Sequence, residues 1–418
     1  MTPPAPSASE AVADAGGWTG GQSLPKAPAV AVTGHGRLHF MDNLRVALTV
    51  LIVFQHASFA YAPANWWYYS DSQQQPLLAT FFIVNRSFRM SLFFLIAGYF
   101  MPYVFDRKGA RLYLKDRFRR FGIPILVFLF IVVPLLMYAY FINFRPYGPI
   151  GFFSYYFHYY WGFSTHHPDD WAGVEWPDRN IAHLWFIEML LIYAVIYAGW
   201  RRLRHALRLN WPAPMRYPGT VAMLISIAVV AAVTYGVRLY YPVFIWRPFL
   251  GFIQVSPADL PRDLACFLFG ILAFRNDWLR RLPASIGYRW LGLGVACAAL
   301  FDVCDLTGHS FFSVGGSSTD AMLYALWETV TCFGFALGLP VLFREWFDFR
   351  NWFTDKLSAA SYGVYVIHLP LVVALQYAVG PTDFSALAKF FIVALIAVPV
   401  SFALTMLLRR SALLRQVV

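Results

Sequence analysis

Residues 41–61, "MDNLRVALTVLIVFQHASFAY", are apolar over most of their length yet include Arg45 and His56. A bilayer-spanning helix needs about 20 predominantly apolar residues, so this stretch is long enough to cross a membrane. Eleven residues of α-helix advance three turns plus about 20°, which aligns Arg45 with His56 on one stripe, about 16 Å apart along the axis. The stretch therefore predicts a membrane helix with Arg45 near one end and His56 near mid-membrane.

The whole chain has the composition of a membrane protein. Of its 418 residues, 59% are hydrophobic and 13% are charged, against roughly 45–50% and about 25% in soluble domains. Apolar runs of spanning length recur along the chain and are separated by short segments. They predict an all-α polytopic membrane protein with about ten transmembrane helices, the sixth of them short enough to be re-entrant. The candidate spans are residues 43–62, 84–104, 121–143, 183–200, 219–240, 262–274, 288–304, 321–343, 357–377 and 386–408.

The distribution of basic residues predicts the orientation. The segment "DRKGARLYLKDRFRR", residues 106–120, contains seven Lys and Arg residues, and such clusters stay on the cytoplasmic side. Alternating sides outward from this segment places both termini in the cytoplasm. Residues 1–36 are rich in Ala, Pro, Gly and Ser and predict a disordered cytoplasmic tail, followed by a membrane domain over 37–410 and a short tail over 411–418. The net charge of +11 follows from this topology and does not indicate nucleic-acid binding.

Several ionisable residues lie inside predicted spans, where they are costly and usually functional. His368, in "SAASYGVYVIHLPLVVAL", is about half-way across its span, and Pro370 just after it loosens the helix. A second histidine at the depth of His56 indicates one polar chamber, although His368 equally fits a residue that braces the bundle. Glu188 either orients a histidine or caps a neighbouring helix.

Arginines mark the ends of the first two spans. Asp42, three residues before Arg45, lies on the same stripe and can orient it through a charge-assisted bond. The alternative for Arg45 is a cytoplasmic anchor, and for Arg89 an anchor at the outer interface. Glu328, within the eighth span, is a site candidate by position alone.

The outer segment 144–182 is dense in Tyr, Trp, His and Asp. Such residues stack on sugar faces and hydrogen-bond hydroxyl groups, but Trp and Tyr also form interfacial belts in most membrane proteins. His166 and His167, with Asp169 and Asp170, lack the spacing of a complete zinc site. We expect no metal there.

Ordered motifs across residues 41–370 resemble those of the integral-membrane acyltransferase-3 family. "MDNLRVALTVLIVFQH" is similar to its Arg-x10-His signature, "FFLIAGYF" to its second span, and "DRFRRFGIP" to its Arg-x-x-Arg entry to the third. "HLWFIEMLLIY" and "SYGVYVIHLPL" resemble its HLWF and SYxxYxxHxP motifs; Ala97 departs from the usual Ser. Within the family, "SFRMSLFFLIAGYF" and "RFRRFGIP" look most like the membrane succinyltransferases that modify periplasmic glucans.

The resemblance implies an enzyme in the bacterial inner membrane. It would transfer an acyl group, such as acetyl or succinyl, from cytoplasmic acyl-CoA to a hydroxyl of an extracytoplasmic carbohydrate or glycoconjugate. Acyl-CoA would be a co-substrate, with no tightly bound cofactor. The expected partners are acyl-CoA, a glycan acceptor and the lipid bilayer, with no nucleic acid.

This chemistry assigns roles to the candidate residues. His56 suits a general base, because histidine has a pKa near the operating pH, and an acyl-histidine intermediate is a variant. Arg117 and Arg120 offer guanidinium forks to the phosphates of acyl-CoA, while Arg45 orients the donor or stabilises charge on the thioester oxygen. His368 and Glu188 are second-rank catalytic candidates. Trp185 and Arg89 are the substrate-binding candidates. If the donor is succinyl-CoA, Arg89 or Arg86 would bind its free carboxylate.

A secondary transporter or exporter of a lipid or glycan is the alternative function. Ten spans, buried ionisable residues and helices interrupted by proline all suit alternating access. The absence of a visible internal repeat in the sequence and the ordered acyltransferase motifs favour the enzyme.

Overall fold

A computed structural model describes residues 37–63, 66–163, 167–173, 176–209, 213–249 and 253–417. The predicted disordered tail, residues 1–36, lies outside the described residues, as does His166. The helical body described below begins at His39.

The body is built almost entirely of helices, which confirms the all-α polytopic fold. Two short antiparallel strands, β1 (Arg247–Phe249) and β2 (Ile253–Val255), are the strands found in the described residues. Two π-helical turns, Phe118–Gly122 and Phe128–Val132, flank α3, and a third, Tyr156–Tyr160, follows α5. The α-helices are α1 (His39–Ser58), α2 (Pro76–Arg117), α3 (Ile123–Val127), α4 (Val133–Phe144), α5 (Phe152–Tyr155), α6 (Trp185–Ala206), α7 (Thr220–Arg238), α8 (Leu260–Arg275), α9 (Trp278–Arg281), α10 (Ala284–Leu306), α11 (Thr319–Trp346), α12 (Trp352–Val379) and α13 (Ala386–Leu408).

Every predicted span coincides with a helical segment. Eight helical stretches of the described chain are long and apolar enough to cross a membrane, and one of them, Pro76–Phe144, contains both the second and the third predicted span. Helix α8, at the sixth span, has 16 residues. Its length of about 24 Å is less than the roughly 30 Å of a hydrocarbon core.

The basic segment between the second and third spans is helical. Helix α2 continues to Arg117 and is interrupted at Gly109, where φ is 72° and ψ is 163°. Glycine adopts this conformation readily because it has no Cβ. Arg117 and Arg120 therefore project from helical backbone rather than from a loop.

Glycines allow the helices around the site to pack backbone against backbone. A Cβ added at Gly98 of α2 would lie 2.1 Å from the carbonyl oxygen of Phe267 in α8, and one at Gly270 would lie 2.2 Å from that of Leu95. Small residues permit such close approach between membrane helices. Gly98 belongs to the "FFLIAGYF" motif, so the motif glycine fixes how closely α8 can approach α2.

Candidate active site

Three histidines meet where three helical segments converge. His56 lies in the last turn of α1, His368 within α12, and His183 in the short 3-10 turn Ala182–Leu184 that precedes α6. The His56 and His368 rings are parallel, with centroids 4.9 Å apart, and the His183 ring is 4.7 Å from that of His368. The structure thus brings the predicted pair of histidines together, with His56 in the last turn of α1 and His368 near the middle of α12.

The hydrogen bonds of the paired histidines determine which nitrogen atoms carry protons when both rings are neutral. His368 Nδ1 lies 2.8 Å from the carbonyl oxygen of Tyr365 and 3.0 Å from that of Val364. A carbonyl only accepts, so this Nδ1 carries the proton and His368 Nε2 is an acceptor. His56 Nδ1, 2.7 Å from that Nε2, must be the donor. The lone pair of His56 is therefore on Nε2, the atom that faces away from His368.

His183 is a member of this cluster that the sequence interpretation missed. Its Nε2 is 2.7 Å from the carbonyl oxygen of Tyr365, and the hydroxyl of Tyr365 donates to the backbone carbonyl oxygen of His183. His183 is the first residue of "HLWFIEMLLIY", so the resemblance of that stretch to the HLWF motif was the signal in the sequence.

Trp67 and Gln376 hold His56 in place. The indole of Trp67 stacks on the His56 ring with centroids 5.3 Å apart and donates from Nε1 to Gln376 Oε1 at 2.8 Å. Gln376 Nε2 donates to the carbonyl oxygens of His56 and Ala57, each at 3.2 Å. All of these side chains are buried. The ring of His56 thus has a fixed orientation.

The loop that carries Trp67 is tied to α13 by a buried ion pair. Lys389 Nζ lies 2.9 and 3.2 Å from the two carboxylate oxygens of Asp71 and donates to the carbonyl oxygen of Gly380 at 2.9 Å. Both charged side chains are almost fully buried. This ion pair holds in place the loop whose Trp67 packs on His56.

Arg86 and Arg89, one turn apart on α2, have different environments. Arg86 Nη1 lies 2.7 Å from Glu328 Oε1 and its Nη2 lies 2.5 Å from Asp259 Oδ1. Arg89 is 5% exposed, and its Nε and Nη1 atoms have no hydrogen-bond partner in the described part of the chain. Two carboxylates of the chain already pair with Arg86, which disfavours it as the partner of a substrate carboxylate.

Glu328 belongs to an ionic cluster rather than to the histidine site. It also pairs with Arg238 and, at 2.5 Å, with Arg262. Burial disfavours the charged form of Asp259, but the guanidinium groups of Arg86 and Arg262 outweigh burial and hold the pKa of Asp259 below its ordinary value. The cluster ties α2, α7, α8 and α11 together.

Glu188 and Trp185 face the hairpin between α7 and α8. Glu188 Oε2 accepts a hydrogen bond from the backbone N–H of Gln254 in β2 at 3.0 Å. Its partner is therefore a strand, and not a histidine or the end of a helix as expected. The Trp185 ring lies 5.3 Å from that of Trp246. Trp185 also lines a small pocket together with Tyr193, Asp259 and Asp263, among others.

The remaining predicted cations lie toward the other end of α1. Arg45 Nη2 donates to Asp42 Oδ1 and to Ser358 Oγ, each at 2.9 Å, which confirms the predicted Arg45–Asp42 contact. The two donor-site arginines stack on aromatic rings, Arg117 on Tyr113 at 5.1 Å and Arg120 on Tyr362 at 4.5 Å.

Arg120 lies within electrostatic range of Arg45 and Arg117. Arg45 itself is about 16 Å from His56 along the helix, too far to touch an oxygen atom held there. This separation favours the first expected role of Arg45, orienting the donor.

In the described part of the segment 144–182, several aromatic side chains pack on one another. The Tyr147 and Trp171 rings stack at 5.7 Å, and Arg145, which pairs with Asp178, lies 4.3 Å from the centre of the Trp171 ring. Phe153, by contrast, is 74% exposed. Among the described residues, no group of three His, Cys, Asp or Glu side chains could hold a metal ion.

Sequence comparison assigns the family. Residues 38–408 match the acyltransferase-3 profile, described as an acyltransferase domain. The chain belongs to the acyltransferase-3 family. Glucans biosynthesis protein C of Escherichia coli K12 and that of strain SMS-3-5 are each 25% identical to it over 353 residues, 80% of this chain and 82% of the relative. No solved structure matches it. The histidine cluster is therefore the candidate centre of a multi-pass membrane acyltransferase.

Proposed function

We propose that this acyltransferase-3 member moves an acyl group from cytoplasmic acyl-CoA to a hydroxyl of an extracytoplasmic carbohydrate. The observation that carries the proposal is the buried His56–His368 pair, which leaves a lone pair on His56 Nε2. A glucan is the proposed acceptor class, because the relatives of known name are glucan biosynthesis proteins. The proposed location is the bacterial inner membrane, with both termini in the cytoplasm.

His56 acts as the general base. Its Nε2 takes the proton of the acceptor hydroxyl as the hydroxyl oxygen attacks the thioester carbon, and positioned proton transfer of this kind contributes roughly 10²–10⁴-fold to a rate. The C–O bond forms, the tetrahedral intermediate expels the CoA thiolate, and the thiolate recovers the proton from His56. The products are an ester and free CoA. An acyl group carried on His56 before the acceptor arrives is the covalent variant of this scheme.

His368 is a positioning residue in this scheme. Its Nδ1 donates to backbone carbonyls of its own helix, so its Nε2 is committed to accept from His56. That bond fixes both the tautomer and the plane of the His56 ring. Glu188, which bonds the hairpin, has no part in the proton transfer.

Arg45, Arg117 and Arg120 form the donor site. Three guanidinium groups at one end of the bundle favour the phosphates of CoA, and Arg45 also fixes the start of α12 through Ser358. The flexible arm of CoA would extend along α1 toward His56. Trp185 would contact the acceptor, since a half-buried aromatic ring that lines a pocket with carboxylates suits a sugar.

The test is turnover by the purified protein in nanodiscs with a panel of acyl-CoA donors and a glucan acceptor. The proposal predicts CoA release that requires both substrates and needs no ion gradient. A lack of turnover with every donor, combined with glycan movement across vesicles that stops when an ion gradient is collapsed, would favour the transporter alternative.

A further inference from the structure

Arg89 carries a buried positive charge that the protein does not neutralise. The other buried arginines in the described chain, Arg86, Arg145, Arg238 and Arg262, each pair with a carboxylate. Arg89 forms no ion pair with any residue that the structure describes, and its Nε and Nη1 atoms are buried without a hydrogen bond. An uncompensated buried charge is expensive. The unpaired guanidinium of Arg89 therefore indicates that a negative charge from outside the chain binds there.

The position of Arg89 specifies where that negative charge arises. Phe82 and Phe93 share its face of α2. The ring of Phe82 packs on that of Phe59, which packs on His56, and the ring of Phe93 packs on that of Phe186, which packs on Tyr365. The Arg89 guanidinium is thus within electrostatic range of His56, His368 and Tyr365. Arg45, by contrast, is held by Asp42 and Ser358. The charge that Arg89 complements must lie beside the histidine pair, where the acyl group reacts.

We propose that Arg89 is a catalytic residue that binds the acyl oxygen when it becomes an oxyanion. This inference rests on the proposed acyl transfer. As the acceptor oxygen bonds to the carbonyl carbon, the electron pair of the C=O bond moves to the carbonyl oxygen, next to the Arg89 N–H groups. When the C–S bond breaks, the pair returns and the charge leaves with the thiolate, which takes its proton from His56. The fixed guanidinium stabilises the charged stage without reorganising.

This role differs from the carboxylate contact expected from the sequence for a succinyl donor. The oxyanion develops with every acyl group, whereas a carboxylate is present only in a dicarboxylic donor. A carboxylate contact is made equally in the ground state, so its loss raises the donor KM. An oxyanion contact strengthens in the transition state, so its loss lowers kcat.

The experiment compares Arg89→Gln and Arg89→Lys with the wild type in nanodiscs, using acetyl-CoA and succinyl-CoA with a glucan acceptor. The inference predicts that Arg89→Gln lowers kcat by about 10²–10³-fold with each donor that the wild type uses, with little change in donor KM. Arg89→Lys keeps the positive charge but lacks the two parallel N–H donors of the guanidinium, so its kcat should lie between those of Arg89→Gln and the wild type. Arg281→Gln, which removes an exposed arginine at the end of α9, is the matched control and should retain full activity.

Two further arms keep the outcome decisive. Should Arg89→Gln fail to fold, Arg89→Ala is assayed with added guanidinium ion, and the inference predicts a guanidinium-dependent gain in kcat. An unchanged kcat in Arg89→Gln, a defect confined to the KM for succinyl-CoA, or no rescue would overturn the oxyanion role and leave the proposed reaction standing. Inactivity of the wild type with all donors would instead overturn the proposed function.

Discussion

At the residue scale, His56 and His368 act as a unit in which only one nitrogen atom is available to the substrate. Backbone carbonyls hold the proton on His368 Nδ1, and His368 Nε2 in turn accepts from His56 Nδ1. The arrangement resembles a base oriented by a third group, with backbone oxygens in place of a carboxylate. The catalytic consequences of removing either ring should therefore overlap.

We predict that His368→Ala lowers kcat by about 10²-fold while donor KM changes little, because the base remains but loses its orientation. The double variant His56→Ala/His368→Ala should be no slower than His56→Ala alone, since residues that act as a unit are strongly non-additive. Steady-state kinetics of the four proteins measure this directly. Additive losses would show that His368 works independently of His56.

At the element scale, the loop between α1 and α2 is held over the site from the far end of the sequence. The loop contributes Trp67, whose ring stacks on that of His56, and Asp71, which forms an ion pair with Lys389. A buried ion pair adds little net stability when intact, but removing one partner leaves the other charged and unpaired. The ion pair between Asp71 and Lys389 therefore positions the loop more than it stabilises the fold.

Lys389→Met should lower the free energy of unfolding by about 3–5 kcal/mol, because the Asp71 carboxylate is left buried without a partner. The double variant Asp71→Leu/Lys389→Met removes both charges and should recover most of that loss. Thermal unfolding in a fixed detergent provides the comparison. If the double variant were as unstable as Lys389→Met, the loss would come from packing and not from the unpaired charge.

Part of the site follows from helical geometry and part does not. The alignment of Arg45 with His56 and the Arg45–Asp42 contact could be predicted, because residues three and eleven apart on one helix share a face. The contacts of His183 and Gln376 could not, since they join segments far apart in sequence. Glu188 was misassigned because nothing in its own helix indicates that the backbone of Gln254 lies opposite it.

At the scale of the whole molecule, glycine contacts set the distances between helices. Apolar runs alone located the helices, and eight helical stretches of the described chain are long and apolar enough to cross a membrane, but the order in which the helices pack could not be predicted. Gly98 and Gly270 bring α2 against α8, and α2 in turn carries Arg89 to the histidines. An altered spacing between these two helices would move the arginine relative to the base.

Gly98→Ala should reduce stability by about 1–3 kcal/mol, because the added methyl group meets a backbone oxygen that cannot move alone. Gly199→Ala in α6 is the matched control. A Cβ there has no atom within 4 Å, so the change should be neutral or stabilising by up to about 1 kcal/mol. Midpoints of thermal unfolding decide between them, and equal midpoints would contradict the close packing of α2 and α8.

We expect His56 to be the base of an acyl-CoA-dependent transfer. The experiment compares the rate of acceptor-dependent CoA release by His56→Ala with that by His205→Ala, which removes an exposed histidine at the end of α6. Both proteins should fold and insert like the wild type. The account predicts that His56→Ala loses at least about 10²-fold in kcat and that His205→Ala keeps full activity. A folded His56→Ala with the wild-type rate would contradict it.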